Sequence, residues 1–160
     1  MSLLYCLYNN KKYKAKYQNG VVKITTDVKE QGFTNYIDVL GREYYDLFVK
    51  ELSLQDVNLV FYEDIELEYK GVYFSLFSSA IKPENVENGK FVIFTDSEKT
   101  AQLYAFEKKE QFVFLKQIST DEIECIKIIK NPIKEFADSI CESTTIEKDG
   151  VSEWLASLKL

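Results

Sequence analysis

Carboxylates are the most abundant side chains here that could do chemistry: 26 Asp and Glu stand against 20 Lys and Arg, with no histidine in 160 residues. Without an imidazole, Ser-His-Asp and Cys-His catalysis and every His-containing zinc site are excluded. Cys6, Cys125 and Cys141 are an odd, widely spaced set, which matches neither a zinc ligand pattern nor a disulfide framework. No base is at hand to activate any of them as a nucleophile, so they read as buried free thiols in a reducing cytosol. Paired carboxylates alone can hydrolyse glycosides, but 26 acids form many pairs by chance, and nothing in the sequence marks a deep cleft. The acidic runs 121–124 and 147–150 do not fit a twelve-residue calcium loop. The six glycines form neither of the phosphate-cradling patterns. The expectation is therefore a non-enzymatic protein with no cofactor and no metal.

The same carboxylates are more informative by position. Residues 1–34 carry a net +4, 35–69 a net -7, 70–118 a net +1 and 119–160 a net -4. In the most acidic segment Asp64, Glu66 and Glu68 alternate with Ile65, Leu67 and Tyr69, which puts three carboxylates in a row on one strand face and the apolar three on the other. Glu63 and the acids Glu43, Asp46 and Glu51 could extend that row. Such a row is either a solvated strand face or a docking face that steers a basic protein onto it. Tyrosines 44, 45, 62 and 69 lie in the same segment, and exposed ones would anchor an interface. The candidate partner-binding residues are thus Glu63, Asp64, Glu66, Glu68, Tyr62, Tyr69, Glu43 and Asp46. Lys11, Lys12, Lys14 and Lys16 interleave with Tyr13 and Tyr17, a pattern that can track single-stranded nucleic acid. With a single arginine in an acidic chain, solvated lysines on an edge strand are the favoured reading, and no nucleic-acid partner is expected.

The elements that position these residues are mostly strands. Lys12–Gln18 and Val21–Thr26 alternate across Asn19-Gly20, a type I′ hairpin signal, with Leu3–Tyr8 alongside. The spacing of Tyr44, Tyr45, Leu47, Phe48 and Leu52 predicts a helix over Arg42–Leu52. Val57–Tyr62, Ile65–Tyr69 and Val72–Phe77 read as a meander of three strands broken at Glu63-Asp64 and Lys70-Gly71. A polar loop over 78–89 follows, then strands at Phe91–Thr95, Leu103–Glu107 and Phe112–Ile118, with Lys108–Gln111 as a turn. Ile123–Ile129 is a strand or a helix, its β-branched residues favouring a strand. Asn131 before Pro132 reads as an N-cap opening a helix that carries Ile133, Phe136, Ala137 and Ile140. A last helix over Val151–Leu158 would turn Trp154, Leu155 and Leu158 inward. The fold class is α+β: a mostly antiparallel sheet with two or three helices, in a single domain over 1–160. A hydrophobic share of 46 % supports a packed interior. No run nears the ~20 apolar residues that span a bilayer. The first residues put lysines after a short apolar run, the reverse of a signal peptide, so a cytoplasmic protein without a membrane partner is expected.

A small, histidine-free, acidic α+β chain rich in Tyr, Lys and Ile, with the strand Glu63-Asp64-Ile65-Glu66-Leu67-Glu68-Tyr69, resembles bacterial immunity proteins. The likeness is particularly to those of contact-dependent growth inhibition and other polymorphic toxin systems. The resemblance implies an antitoxin that occludes a cognate basic toxin domain, often a nuclease, its carboxylates standing where the toxin meets phosphates. It also implies a gene placed directly after that of the toxin. The basic hairpin departs from a uniformly acidic mimic of nucleic acid. A scaffolding protein of a phage or mobile element that assembles through a sheet edge is the alternative, and a carboxylate hydrolase a further one. The sequence leaves the oligomeric state open.

Overall fold

Left-handed backbone at paired turn residues sets much of the strand frame. In the computed structural model, which describes residues 2–76, 87–139 and 142–157, Asn9-Asn10, Asn19-Gly20 and Lys70-Gly71 each carry two consecutive positive φ angles. That is the backbone of the two-residue hairpin turn whose twist suits paired strands. The strands are β1 (Ser2–Tyr8), β2 (Lys11–Gln18), β3 (Val21–Thr26), β4 (Thr34–Ile37), β5 (Glu43–Ser53), β6 (Leu59–Tyr69) and β7 (Val72–Leu76). They continue with β8 (Lys90–Thr95), β9 (Glu107–Glu110), β10 (Val113–Ser119), β11 (Cys125–Pro132) and β12 (Glu142–Glu147). Helix α1 (Glu98–Leu103) precedes β9, and α2 (Lys148–Ser157) follows β12. Short 3-10 turns occupy Leu54–Asp56, Thr120–Glu122 and Lys134–Phe136. The fold is α+β and mostly antiparallel strand, with these two α-helices among the described residues. No helix among them is long and apolar enough to cross a membrane.

The chain forms two compact units. The first comprises Leu3–Glu63 and Asn131–Cys141. Its strands run in the order β4-β5-β3-β2-β1-β6, the last contributing its first half. Its core is built from Cys6, Tyr13, Val22, Ile24, Phe33, Phe48, Leu52, Val57, Val60 and Ile133. The second comprises Met1–Ser2, Asp64–Lys130 and Glu142–Leu160. There the rest of β6 continues to β7, β8, β10 and β9, and β11 pairs with both β6 and β12. Ile65, Leu67, Phe91, Ile93, Ile118, Ile123 and Ile126 are buried in it to 2 % exposure or less. Tyr69, Phe74, Tyr104 and Phe106 pack ring against ring, with centroids 5.1–6.5 Å apart. Val151 and Leu155, rather than Trp154, are the buried residues of α2.

Several local expectations are overturned. The predicted helix over Arg42–Leu52 is β5, because Phe48, Lys50 and Leu52 pair with Thr26, Ile24 and Val22 of β3. An isolated eleven-residue helix is marginal in water, and cross-strand pairing prevails over its periodicity. Glu63-Asp64 do not break a strand, since β6 runs unbroken from Leu59 to Tyr69. Of the expected strand at Leu103–Glu107, Leu103 ends α1 and Glu107 starts β9; the helix is capped by Ser97, whose hydroxyl accepts from Thr100 N at 3.2 Å. The expected turn at 108–111 is mostly strand β9. Asn131 and Pro132 end β11 rather than start a helix, and among the described residues up to 139 the Lys134–Phe136 turn follows. A proline is tolerated at a strand end, where its missing N–H breaks no ladder. The basic strand β2 lies between β1 and β3 rather than at an edge. The expected loop up to residue 86 and Phe77, Ile140, Cys141 and Leu158 lie outside the described residues.

Candidate partner-binding face

Period-two burial along β6 places its acids. In the second unit Asp64, Glu66 and Glu68 are half-buried on one face of the strand, and Ile65, Leu67 and Tyr69 are buried on the other. Ser2 Oγ donates to Asp64. Glu66 stands opposite Ser75 and Glu68 opposite Tyr73 on β7, so the phenol of Tyr73, 42 % exposed, lies beside the carboxylates. From β11, Cys125 Sγ donates to Glu68 Oε2 at 2.9 Å and lies 3.1 Å from Tyr73 Oη. Lys127 Nζ lies 5.6 Å from the centroid of the Tyr73 ring. Glu147 pairs with Cys125 across β11 and β12. The face is therefore an acidic row with a tyrosine beside it, bordered by one lysine and a further acid.

These contacts decide what the thiol does. Burial pushes the Cys125 thiol up, and the Glu68 carboxylate that it bonds pushes it further, so it stays protonated at neutral pH as a donor. The Tyr73 phenol is pushed up to about 12, first by its bond to Cys125, then by desolvation and the nearby carboxylates Glu68 and Glu147. Cys125 thus fixes the carboxylate and the ring in place rather than offering a thiolate.

Not every sequence candidate joins this face. Glu63, at 7 % exposure, points to the same side of β6 as Phe61 and Ile65. Its Oε1 is 2.5 Å from Lys12 Nζ, which sits 4.1 Å over the Tyr5 ring. Glu63 is a structural acid of the first unit. Tyr69 is 3 % exposed and belongs to the core. Tyr62 is 43 % exposed on the first-unit half of β6. Glu43 and Asp46 are exposed on β5, and in the first unit β3, β2 and β1 intervene between β5 and β6. Glu43 Oε1 accepts from Asn35 Nδ2 at 2.8 Å, and Glu51 pairs with Lys23 at 3.5 Å. Tyr73 and Lys127 were missed as members of the face, although the alternation of Val72–Leu76 turns Tyr73 and Ser75 outward together.

The lysine-tyrosine strand separates its two residue types. Tyr13 is buried against Phe33 and donates to Glu30 at 2.6 Å, while Lys12, Lys14 and Lys16 alternate to the opposite face of β2. Stacking bases on those tyrosines along a lysine track would need both on one face. A shallow depression of about 460 Å³ lies over β3, β4 and β5. It is lined by one carboxylate, Glu51, rather than by the pair that glycoside hydrolysis needs. Among the described residues no three His, Cys, Asp or Glu side chains are grouped to hold a metal ion. Compared with family models, curated proteins and solved structures, the chain matches none.

Proposed function

We propose that this chain is a non-enzymatic immunity protein of the cytosol, an antitoxin that binds and occludes a cognate basic toxin domain of the nuclease kind. The observation that supports this reading is the row Asp64, Glu66 and Glu68, kept on one face of β6 with Tyr73 exposed at its side. Like charges in a row on one strand face repel one another. A basic partner gains steering and register from such a row. The tyrosine supplies amphipathic contact area with few rotatable bonds. Lys127, over that ring, limits the face to a local acidic patch and argues against full mimicry of nucleic acid.

The test is a titration with the protein encoded by the reading frame directly upstream, alongside co-expression to measure protection from its toxicity. Glu66→Lys with Glu68→Lys changes the local charge by four. Association should slow by about 10–100-fold at low salt, with a smaller difference at high salt. An association rate that both charge reversals leave unchanged removes the face from the interface. Self-association of the wild-type chain, with no preference for a basic partner, would instead favour the scaffolding reading.

A further inference from the structure

The hairpin joining β4 to β5 is built unlike the other turns. Asp38 organises it from within: Oδ1 accepts from the backbone N–H groups of Leu40 and Arg42, both at 2.9 Å. Its Oδ2 accepts from Arg42 Nε at 2.7 Å and Tyr44 Oη at 3.3 Å. Gly41 N donates to Asp38 O, and Asp38 N to Arg42 O, at 2.9 and 3.0 Å. Gly41 sits at φ +78, where a side chain would be strained. Tyr36 and Tyr44, paired across the strands, hold their rings 5.6 Å apart below the loop. These bonds tie the backbone of the tip together from Asp38 to Arg42.

What this frame holds up is apolar. Val39 is 100 % exposed, Leu40 74 %, Tyr45 76 % and Ile37 60 %. Four large apolar side chains around one hairpin end make a patch on the order of several hundred Å², the size that marks an interaction site rather than scattered exposure. Asp38 and Arg42 neutralise one another, which leaves the exposed Glu43 and Asp46 as the net charge at the base of the tip.

We propose that this tip is a preformed plug that enters an apolar cleft bordered by lysine or arginine on a protein partner. The proposal rests on the antitoxin reading and deepens it, adding an anchor in the first unit that the β6 face does not include. The charge selects the occupant. Glu43 and Asp46 would oppose an anionic leaflet, whereas a basic rim complements them. The internal bonding of the loop means that little ordering entropy opposes docking.

The experiment uses the full chain and Val39→Asp with Leu40→Asp, which changes two exposed side chains and should leave the thermal midpoint unaltered. Titrated with the upstream-frame protein, the variant should bind at least ~30-fold more weakly, chiefly through faster dissociation. Glu66→Lys with Glu68→Lys should act chiefly on association. Wild-type binding that the tip variant retains overturns the plug alone, and no wild-type binding overturns the antitoxin reading together with it. Flotation of the wild type with phosphatidylcholine and phosphatidylserine vesicles, or a dimer in sedimentation, lost in either case in the tip variant, would assign the tip to a bilayer or a second copy and overturn the proposal.

Discussion

Replacing Lys12 with methionine should destabilise the first unit by about 2–3 kcal/mol, although lysine is ordinarily among the most replaceable of surface residues. The reason lies in Glu63, 7 % exposed between Phe61 and Ile65 on its strand face, whose carboxylate is 2.5 Å from the Lys12 ammonium. Removing one partner of a fully buried pair costs about 3–5 kcal/mol, because the remaining charge is left without compensation. Lys12 keeps 41 % of its side chain exposed, so water reaches the vacated position and the cost falls below that range. The lost contact with the Tyr5 ring adds about 0.5–1 kcal/mol. For a chain of this length such a loss lowers the thermal midpoint by roughly 5–10 °C, measurable by far-ultraviolet circular dichroism. Glu63→Leu in the same chain should return stability to within about 1 kcal/mol of wild type, since a leucine there meets apolar neighbours and leaves no buried charge. A Lys12→Met cost below about 0.5 kcal/mol, or a double variant no more stable than the single one, would refute the claim that Glu63 is a buried acid held by one lysine.

Two further outcomes follow from groups outside the acidic row. Phe112 sits at φ +59 with its ring 66 % exposed, a backbone state that costs a bulky L-residue about 1–2 kcal/mol; Phe112→Asn should therefore raise the thermal midpoint by a few degrees, and a lowered midpoint would show that the exposed ring packs after all. The phenols of Tyr13 and Tyr73 are both pushed up to about 12, by burial first in the one and by the Cys125 bond first in the other. Their folded pKa values lie above the unfolded value near 10, so their contribution is full below pH 10 and is lost as pH rises towards 12. Tyr73→Phe should reduce that alkaline loss, followed by unfolding against pH and by phenolate absorbance; an identical alkaline profile would count against the thiol-phenol contact.

What was legible in the sequence was local turn chemistry. Asn19-Gly20 and Lys70-Gly71 specify their hairpins through positive φ at two successive residues, a demand met within the turn itself; the strands flanking Asn19-Gly20 and the one after Gly71 match their expected bounds closely, whereas β6 before Lys70 runs six residues further back than expected. The segment 43–53 was not legible, because Tyr44, Tyr45, Leu47, Phe48 and Leu52 satisfy a helical spacing as well as they satisfy a strand. Its state is decided by β3, some twenty residues earlier, where Val22 and Thr26 wait opposite Leu52 and Phe48. Asn131-Pro132 misled for the same reason. The pair is a good helix start in isolation, but Lys127–Lys130 are already laddered to Glu142–Thr145, and Ile133 N donates to Val60 O at 3.0 Å.

The acidic segment shows why a charge count is not a surface. Its net -7 over 35–69 is correct as a sum, yet six of its nine acids alone meet four different fates. Glu63 is neutralised by Lys12, 51 residues away, and Asp38 is consumed inside its own hairpin by Arg42 and two backbone N–H groups. Glu51 pairs across the strand with Lys23. Asp64, Glu66 and Glu68 stay on a shared face. Period-two alternation finds that last set from sequence, because it depends only on the strand being straight. Asp38 is satisfied within its own turn, whereas Glu63 and Glu51 depend on which base is brought alongside by strand order, and strand order is set by long-range pairing. An interface inferred from acidic composition should therefore be tested first on the residues that alternation alone places together. Reversal at Glu63 would weaken any complex by destabilising the strand beneath it, and reversal at Glu68 also costs its bond from Cys125, so reversal at Glu66, opposite Ser75, best separates binding from stability.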